Sequence, residues 1–292
     1  MAKRTTGFVD DIVFPGGKTK AFTASYDDGT IHDRRLVEIF NQYGIRGTFN
    51  LNSGFFGVER KPKPESPMKV DISLIDESEV PALYEGHEIA GHGLTHASPT
   101  GIGSPAFLYE TIADKANLEH ISKRMVRGYA YPFGIYDEKV KEILRLSGYH
   151  YARVVDTTGA FGIPEDFFEW KGTAHHNDGK LMELAKDFCD NSPKRGPGFR
   201  KKIFYVWGHS YEFAFDDSWY KIEDLCRYMH ENGEGVWFAT NIEIVDYVNA
   251  FRALEYSADA DMVYNPTAIT VSFRRGFEST YTVHPGETLV LG

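Results

Sequence analysis

The stretch Ala21-Phe22-Thr23-Ala24-Ser25-Tyr26-Asp27-Asp28-Gly29 decides how this chain is read. Phe22, Ala24 and Tyr26 alternate with Thr23 and Ser25, the two-residue period of a strand, and the run stops at Gly29 in a tight turn. Neighbouring strand side chains point to opposite faces. Past the strand end the backbone turns, so the carboxylates of Asp27 and Asp28 can face one cleft. An Asp-Asp-Gly tripeptide by itself is more often a surface turn, and the case for chemistry needs a second motif.

That motif is His92-Gly93-Leu94-Thr95-His96, which follows the apolar stretch His87-Glu88-Ile89-Ala90-Gly91. Two imidazoles at this spacing can converge on one cation. Imidazole nitrogen with carboxylate oxygen suits zinc and its neighbours, and a catalytic site needs three protein ligands with one position left open. His92, His96 and one carboxylate supply such a set. A lone histidine pair also arises by chance on a helix face or in a core.

Two further strand-like runs end in special residues, Tyr129-Ala130-Tyr131-Pro132-Phe133-Gly134 and Phe204-Tyr205-Val206-Trp207-Gly208-His209-Ser210. Four such motifs in this order resemble the polysaccharide deacetylases, the carbohydrate esterase family 4 with the NodB homology domain. The resemblance covers roughly residues 20 to 245, and its specificity lies in the combination. It implies Asp27 as general base, Asp28, His92 and His96 as metal ligands, and His209 as general acid. It also implies that the Phe133 N–H, in the turn with Tyr131 and Pro132, helps to bind the oxyanion.

Hydrolysis of an acetamide near neutral pH needs an activated water, stabilisation of the tetrahedral oxyanion and a proton for the departing amine. A divalent cation lowers the pKa of bound water from ~15.7 towards ~7 and polarises the carbonyl. Zinc is the expected ion, with Co2+, Ni2+ or Mn2+ as alternatives. The sequence departs from the family twice. Where the third motif commonly begins with an arginine that orients the base, this chain has Ala130. Arg153, on the following strand, is the expected replacement and Arg127 the runner-up. The acidic partner of the acid histidine is also not at its usual place, and Asp156 and Glu169, beside Trp170, compete for that role. Adjacent His175 and His176 point to different sides of an extended chain; loop polarity is the default reading and substrate contact by one of them, taken as His175, the sharper one. Tyr131, Trp170, Trp207 and Tyr211 fall beside the motifs, where aromatic faces can stack on sugar rings, although core packing is the default for Trp207.

The chain has 292 residues, enough for one (β/α) barrel with a small addition. Its formal net charge is −10, which argues against nucleic-acid and anionic-membrane partners and leaves an acetylated carbohydrate as the expected one. Cys189 and Cys226 read as buried free thiols. No signal-peptide core is visible near the start and no stretch is long enough to span a membrane, so a cytoplasmic location is expected. Oligomeric state is open, a homo-oligomer included.

Helices are expected over residues 33–43, 76–84, 107–125, 137–146, 181–189, 220–229 and 242–251, alternating with strands at 46–51, 87–90, 149–155, 203–206 and 235–239. Residues 53–70 are expected to form a loop. Alternation of this kind implies a distorted parallel (β/α) barrel whose motifs lie at the C-terminal strand ends. The expected organisation is an N-terminal segment 1–19, a barrel 20–255 and a short C-terminal β appendage 256–292, built of strands at 262–264, 268–273, 279–283 and 288–291. The leading functional reading is a metal-dependent deacetylase of N-acetylated sugars. An O-acetyl (xylan) esterase and an intracellular hydrolase of a non-sugar amide use the same machinery. A non-catalytic sugar-binding protein is disfavoured by the intact base, metal and acid positions.

Overall fold

A computed structural model describes residues 10–63, 65, 69–192, 201–276 and 279–291. Pro64 and Pro67 of the expected loop, residues 1–9 of the N-terminal segment and residues 277, 278 and 292 of the appendage lie outside the described residues. The chain divides into two compact units. The larger comprises Phe22–Glu234 and Phe238–Ile242, and the smaller Met1–Ala21, Gly235–Trp237 and Glu243–Gly292.

The larger unit is built on a parallel sheet. Its strands follow in the order Trp170–Gly172, Tyr151–Thr157, Gly128–Ala130, Glu88–Gly91, Gly47–Leu51, Lys20–Asp28, Ile203–His209 and Ala174–His175. The two outermost strands are separated in sequence only by Thr173. One short segment therefore pairs with Tyr151–Thr157 through its first half and with Ile203–His209 through its second. This closes the sheet almost completely, and the architecture is a distorted parallel (β/α) barrel with helices outside, as the element pattern led one to expect.

Helix Asp33–Gln42 buries Leu36, Val37, Ile39 and Phe40, the stripe its 3.6-residue period predicts. It is followed by Gly44, whose φ of 66° suits a residue without a Cβ. Glu138–Leu146 starts at Asp137, whose side chain accepts from Val140 N at 2.8 Å. Two boundaries differ instructively. The helix expected from 107 begins earlier, at Ser104, where a proline sits in the first turn. The element expected at 76–84 is a 3-10 turn, Glu77–Glu79, running into the short helix Val80–Leu83, because Pro81 has no N–H to continue one ladder.

Which face of the first strand lines the barrel follows from its partners. Arg153, whose strand is separated from Lys20–Asp28 by three others in the sheet order, donates to Asp27 Oδ2, so both side chains must reach across the interior. Thr23, Ser25 and Asp27 share that face by the two-residue period. Thr23 donates to Asn241 Oδ1 at 2.8 Å, and Asn50 Nδ2 donates to Ser25 Oγ at 2.7 Å. Tyr26, on the opposite face, packs edge-on to Phe40 of the outer helix. The interior is thus polar around its first strand, and Thr23, Ser25 and Asp27 each have a hydrogen-bond partner there. Cys189 and Cys226 are both buried.

The smaller unit consists of two antiparallel sheets. One joins Asp11–Val13 to Val271–Arg275 and Ser279–Val283, and the other joins Glu255–Tyr256, Met262–Tyr264 and Thr288–Val290. Ala250, Leu254, Val263, Val271, Phe273, Val283 and Leu291 form its core. Arg275 binds both carboxylate oxygens of Asp10 at 2.8 Å, a fork-to-fork pair that ties the two ends of the chain together. The strand expected from 268 begins at Val271, because the Asn265 amide and carbonyl oxygen bond Ile269 O and Thr267 N and hold 265–269 as a turn. No helix among the described residues is long and apolar enough to cross a membrane.

Candidate active site

Asp27 lies near the end of its strand and is almost fully buried, at 2% exposure. Each of its oxygens is held. Asn50 Nδ2 donates to Oδ1 at 2.8 Å, and the Arg153 guanidinium binds Oδ2. Arg153 is opposite Ala130 in the sheet register, so its guanidinium reaches Asp27 from the strand next to the third motif. Its guanidinium lies 4.3 Å above the Trp207 ring, which fixes its plane. Arg127, the alternative, acts on Glu88 instead. Burial alone would raise the Asp27 carboxyl, but Arg153, with His92 and His209 nearby, overrides it and holds the group at about 2.

At Asp28 the backbone enters the left-handed region, with φ 79°. That turn breaks the strand alternation and brings Asp28 to the same side as Asp27. Asp28 Oδ1 lies 3.7 Å from His92 Nε2 and 3.9 Å from His96 Nε2. His96 and Phe133 are also left-handed, at 53° and 61°. Such conformations cost of order 1–3 kcal/mol each and cluster where side chains must be aimed.

The Asp28, His92 and His96 donor atoms all lie within 4.8 Å of one another, and their state fits a divalent cation. His92 Nδ1 lies 2.8 Å from Ala130 O, and only an N–H can bond a carbonyl oxygen. The proton is therefore on Nδ1, and the Nε2 lone pair faces Asp28. Burial, with His92 beside it, pushes His96 down to about 4, so this imidazole is neutral. Asp114 pins the His92 backbone by accepting from its N–H at 3.1 Å and from Ser53 N at 2.8 Å.

His209 ends the strand Ile203–His209, with Nε2 3.9 Å from Asp27 Oδ2. Neither expected acidic partner reaches it. Asp156 pairs with Lys171 and Glu169 with Lys141. The carboxylate beside His209 Nδ1 is Glu212, with Oε1 at 3.3 Å. Glu212 follows three residues later on the short helix Ser210–Phe215, and that spacing was the available signal. Burial opposes the charge on His209, but Glu212, Asp27 and Asp28 raise it to about 9.

The remaining expected residues divide into two groups. Phe133 is 61% exposed and stands edge-on to the His96 ring, while His175 lies edge-on to Trp207. Tyr131 is fully buried, and its hydroxyl donates to Phe168 O at 3.0 Å. Trp170, 2% exposed, is packed among Tyr151, Phe167 and Tyr205. Trp170 also lines a cavity of about 340 Å³ with Glu165, Lys171 and Tyr205. His176 is buried, and its Nε2 lies 2.8 Å from Glu212 Oε2, so the polar-loop reading of the histidine pair does not describe it.

Fold and site together define a (β/α) barrel with an aspartate pair, two histidines and an opposed histidine at its strand ends. Residues 16–152 match the family model of the polysaccharide deacetylases. Over that span, which holds Asp27, Asp28, His92, His96 and the Pro132 turn and stops just before Arg153, the chain is similar to the family its motifs resemble. No curated protein matches the chain. Among solved structures, a Mycobacterium smegmatis protein classed as a polysaccharide deacetylase is 15% identical, with 84% of this chain and 95% of that chain covered and a TM-score of 0.56. The chitin deacetylase of Colletotrichum lindemuthianum is 17% identical over 77% of this chain and 88% of its own, with a TM-score of 0.49. A Streptococcus pyogenes deacetylase solved with acetate is 16% identical over 46% of this chain, with a TM-score of 0.40, and the chain spans 55% of its length. At these identities the likeness is one of fold.

Proposed function

We propose that this protein is a metal-dependent hydrolase that removes acetyl groups from N-acetylated sugars, with its machinery in residues 20–255. The observation that carries the proposal is the position of Asp27 Oδ2, 3.9 Å from His92 Nε2 on one side and 3.9 Å from His209 Nε2 on the other. A candidate base thus stands between a cation donor set and a candidate acid. The family match over 16–152 supports the same reading.

Asp28, His92 and His96 would hold the cation, and two imidazoles with one carboxylate favour zinc, with Co2+, Ni2+ and Mn2+ as alternatives. When bound, such an ion supplies a Lewis acid for the acetyl carbonyl and for water. Asp27, ionised by Arg153, accepts a proton from the attacking water. Asn50 and Arg153 each bond one of its oxygens, so the lone pairs left free have fixed directions. The Phe133 N–H donates to the carbonyl oxygen as that oxygen gains charge. His209, protonated through Nε2, gives its proton to the leaving nitrogen as the carbon–nitrogen bond breaks.

The test is a panel of acetylated oligosaccharides incubated with metal-reconstituted protein, with free acetate and free amine followed separately. Acetate with amine is the expected result. Acetate without amine would make the protein an esterase, and release of neither at full metal occupancy would overturn the proposal.

The Arg153→Ala variant tests the base. With the guanidinium removed, burial dominates and the Asp27 carboxyl rises above its present value of about 2. The base then becomes protonated at higher pH, so the acidic limb of the kcat/KM profile moves upward. An unchanged limb in a folded variant would remove Arg153 from the site. Stability falls too, because breaking a buried ion pair costs about 3–5 kcal/mol, so the profile is measured well below the unfolding temperature.

A further inference from the structure

We propose that His176 is a positioning residue for His209, acting through Glu212. The inference rests on the acid role of His209 proposed above. Its geometry is a chain of three side chains. His176 Nε2 lies 2.8 Å from Glu212 Oε2, and Glu212 Oε1 lies 3.3 Å from His209 Nδ1. His175 Nε2 reaches the same Oε2 from 3.4 Å. Asn177 N donates to His175 Nδ1 at 3.2 Å, which places the His175 proton on Nε2 and makes this ring a donor to Glu212.

His176 is built in as a fixed anchor. Its ring stacks on Tyr26 with centroids 5.6 Å apart and contacts Phe213 at 4.1 Å. Its own N–H donates to Trp207 O at 2.9 Å. Gly208 makes room for it, since a Cβ there would fall 2.1 Å from His176 Nδ1. The glycine immediately before His209 thus admits a second histidine behind the first.

Glu212, by contrast, stands on a helix of six residues and keeps a quarter of its side chain exposed. A flexible carboxylate in that setting loses rotamer freedom when it is held in one place. A buried imidazole whose Nε2 stands 2.8 Å behind Oε2 limits where that oxygen can go and leaves Oε1 towards His209. With Nδ1 turned to Glu212 Oε1, Nε2 of His209 is the nitrogen that faces the Asp27 side of the cleft. This is the logic by which a carboxylate orients a catalytic imidazole, extended by one residue.

The test uses His176→Phe, which keeps a ring but removes the donor, and His176→Gln, which keeps a donor. Both are assayed as zinc-loaded protein. In His176→Phe, kcat for amide cleavage should fall about tenfold or more, the scale seen for outer-shell partners, with KM and metal content unchanged. Cleavage of an activated aryl acetate, whose leaving group needs little protonation, should fall much less. His176→Gln should recover most of the loss. Because Glu212 is partly exposed, Glu212→Gln serves if His176→Phe does not fold, and should reproduce its kinetics.

NMR titration of His209 in zinc-loaded protein separates failure of this inference from failure of the proposed function. The groups facing His209 are Asp27 and Asp28 from the first strand, Glu212 and Tyr211 from its own helix and, through Glu212, His175 and His176. In His176→Phe the imidazole should lose its proton at lower pH than in the parent, whether or not any acetylated substrate is cleaved. An unchanged titration, or equal kinetic losses on amide and ester, would make His176 a core histidine and overturn the inference.

Discussion

Protein carrying His92→Ala and His96→Ala together should fold, bind no stoichiometric divalent metal and release no acetate above background. The two imidazoles are two of the three donors that converge on one point, and Asp28 alone is a weak, partly exposed ligand. The His92 tautomer is set by Ala130 O, so its Nε2 has no role in holding the fold. Folding should survive the two local costs, the lost Nδ1 bond to Ala130 O and the small cavity left by the buried His92 ring. A Lewis acid at such a site is worth several kcal/mol, so the rate should fall on the order of 1,000-fold or more. Elemental analysis of the purified variant against the parent, with circular dichroism as the folding control, checks this. A full equivalent of metal on folded double variant would remove both histidines from the ligand set.

The second large effect is at His209. An amine must be protonated as it leaves, whereas an activated phenol departs as a weaker base and needs that proton far less. His209→Ala should therefore reduce amide cleavage about 100-fold or more and spare an activated aryl acetate in comparison. Metal content should stay intact. In the parent, the alkaline limb belongs to His209, held at about 9 by Glu212 and the two aspartates against the effect of burial. Since the charged form is the active one, the rate falls as pH rises through that value, and this limb should vanish in the variant. Equal losses on amide and ester would count against the acid role, and no loss on either would make His209 a structural residue at a strand end.

Much of this was legible before any coordinates. The two-residue alternation at 21–29, the helical stripes and the glycine stops place most elements within a few residues. The exceptions, at Ser104, Pro81 and Asn265, are places where proline or a side chain bonding its own backbone sets the boundary. Arg153 could be named because a missing arginine at Ala130 demanded a substitute. Asn50 could not, because nothing in its local sequence distinguishes it from a surface polar residue, and Glu212 offered only its three-residue spacing from His209. Trp170 and Tyr131 show the converse. Both lie next to motif residues in sequence, yet neither is open to stack a sugar, since strand neighbours point to opposite sides.

The sequence by itself determined the residue types and their order. An aspartate pair at a strand end, two histidines, a proline turn and a strand-end histidine define one kind of chemistry whatever their exact positions. Only the tertiary structure decided which face of the first strand lines the barrel. A period of two creates two faces and does not choose between them, and the choice came from Arg153 reaching across from a strand with three others in between. The structure likewise decided that His176 and Glu212 stand behind His209. They come from different parts of the chain, 36 residues apart, and meet only because the segment that closes the barrel runs beside the strand that carries His209.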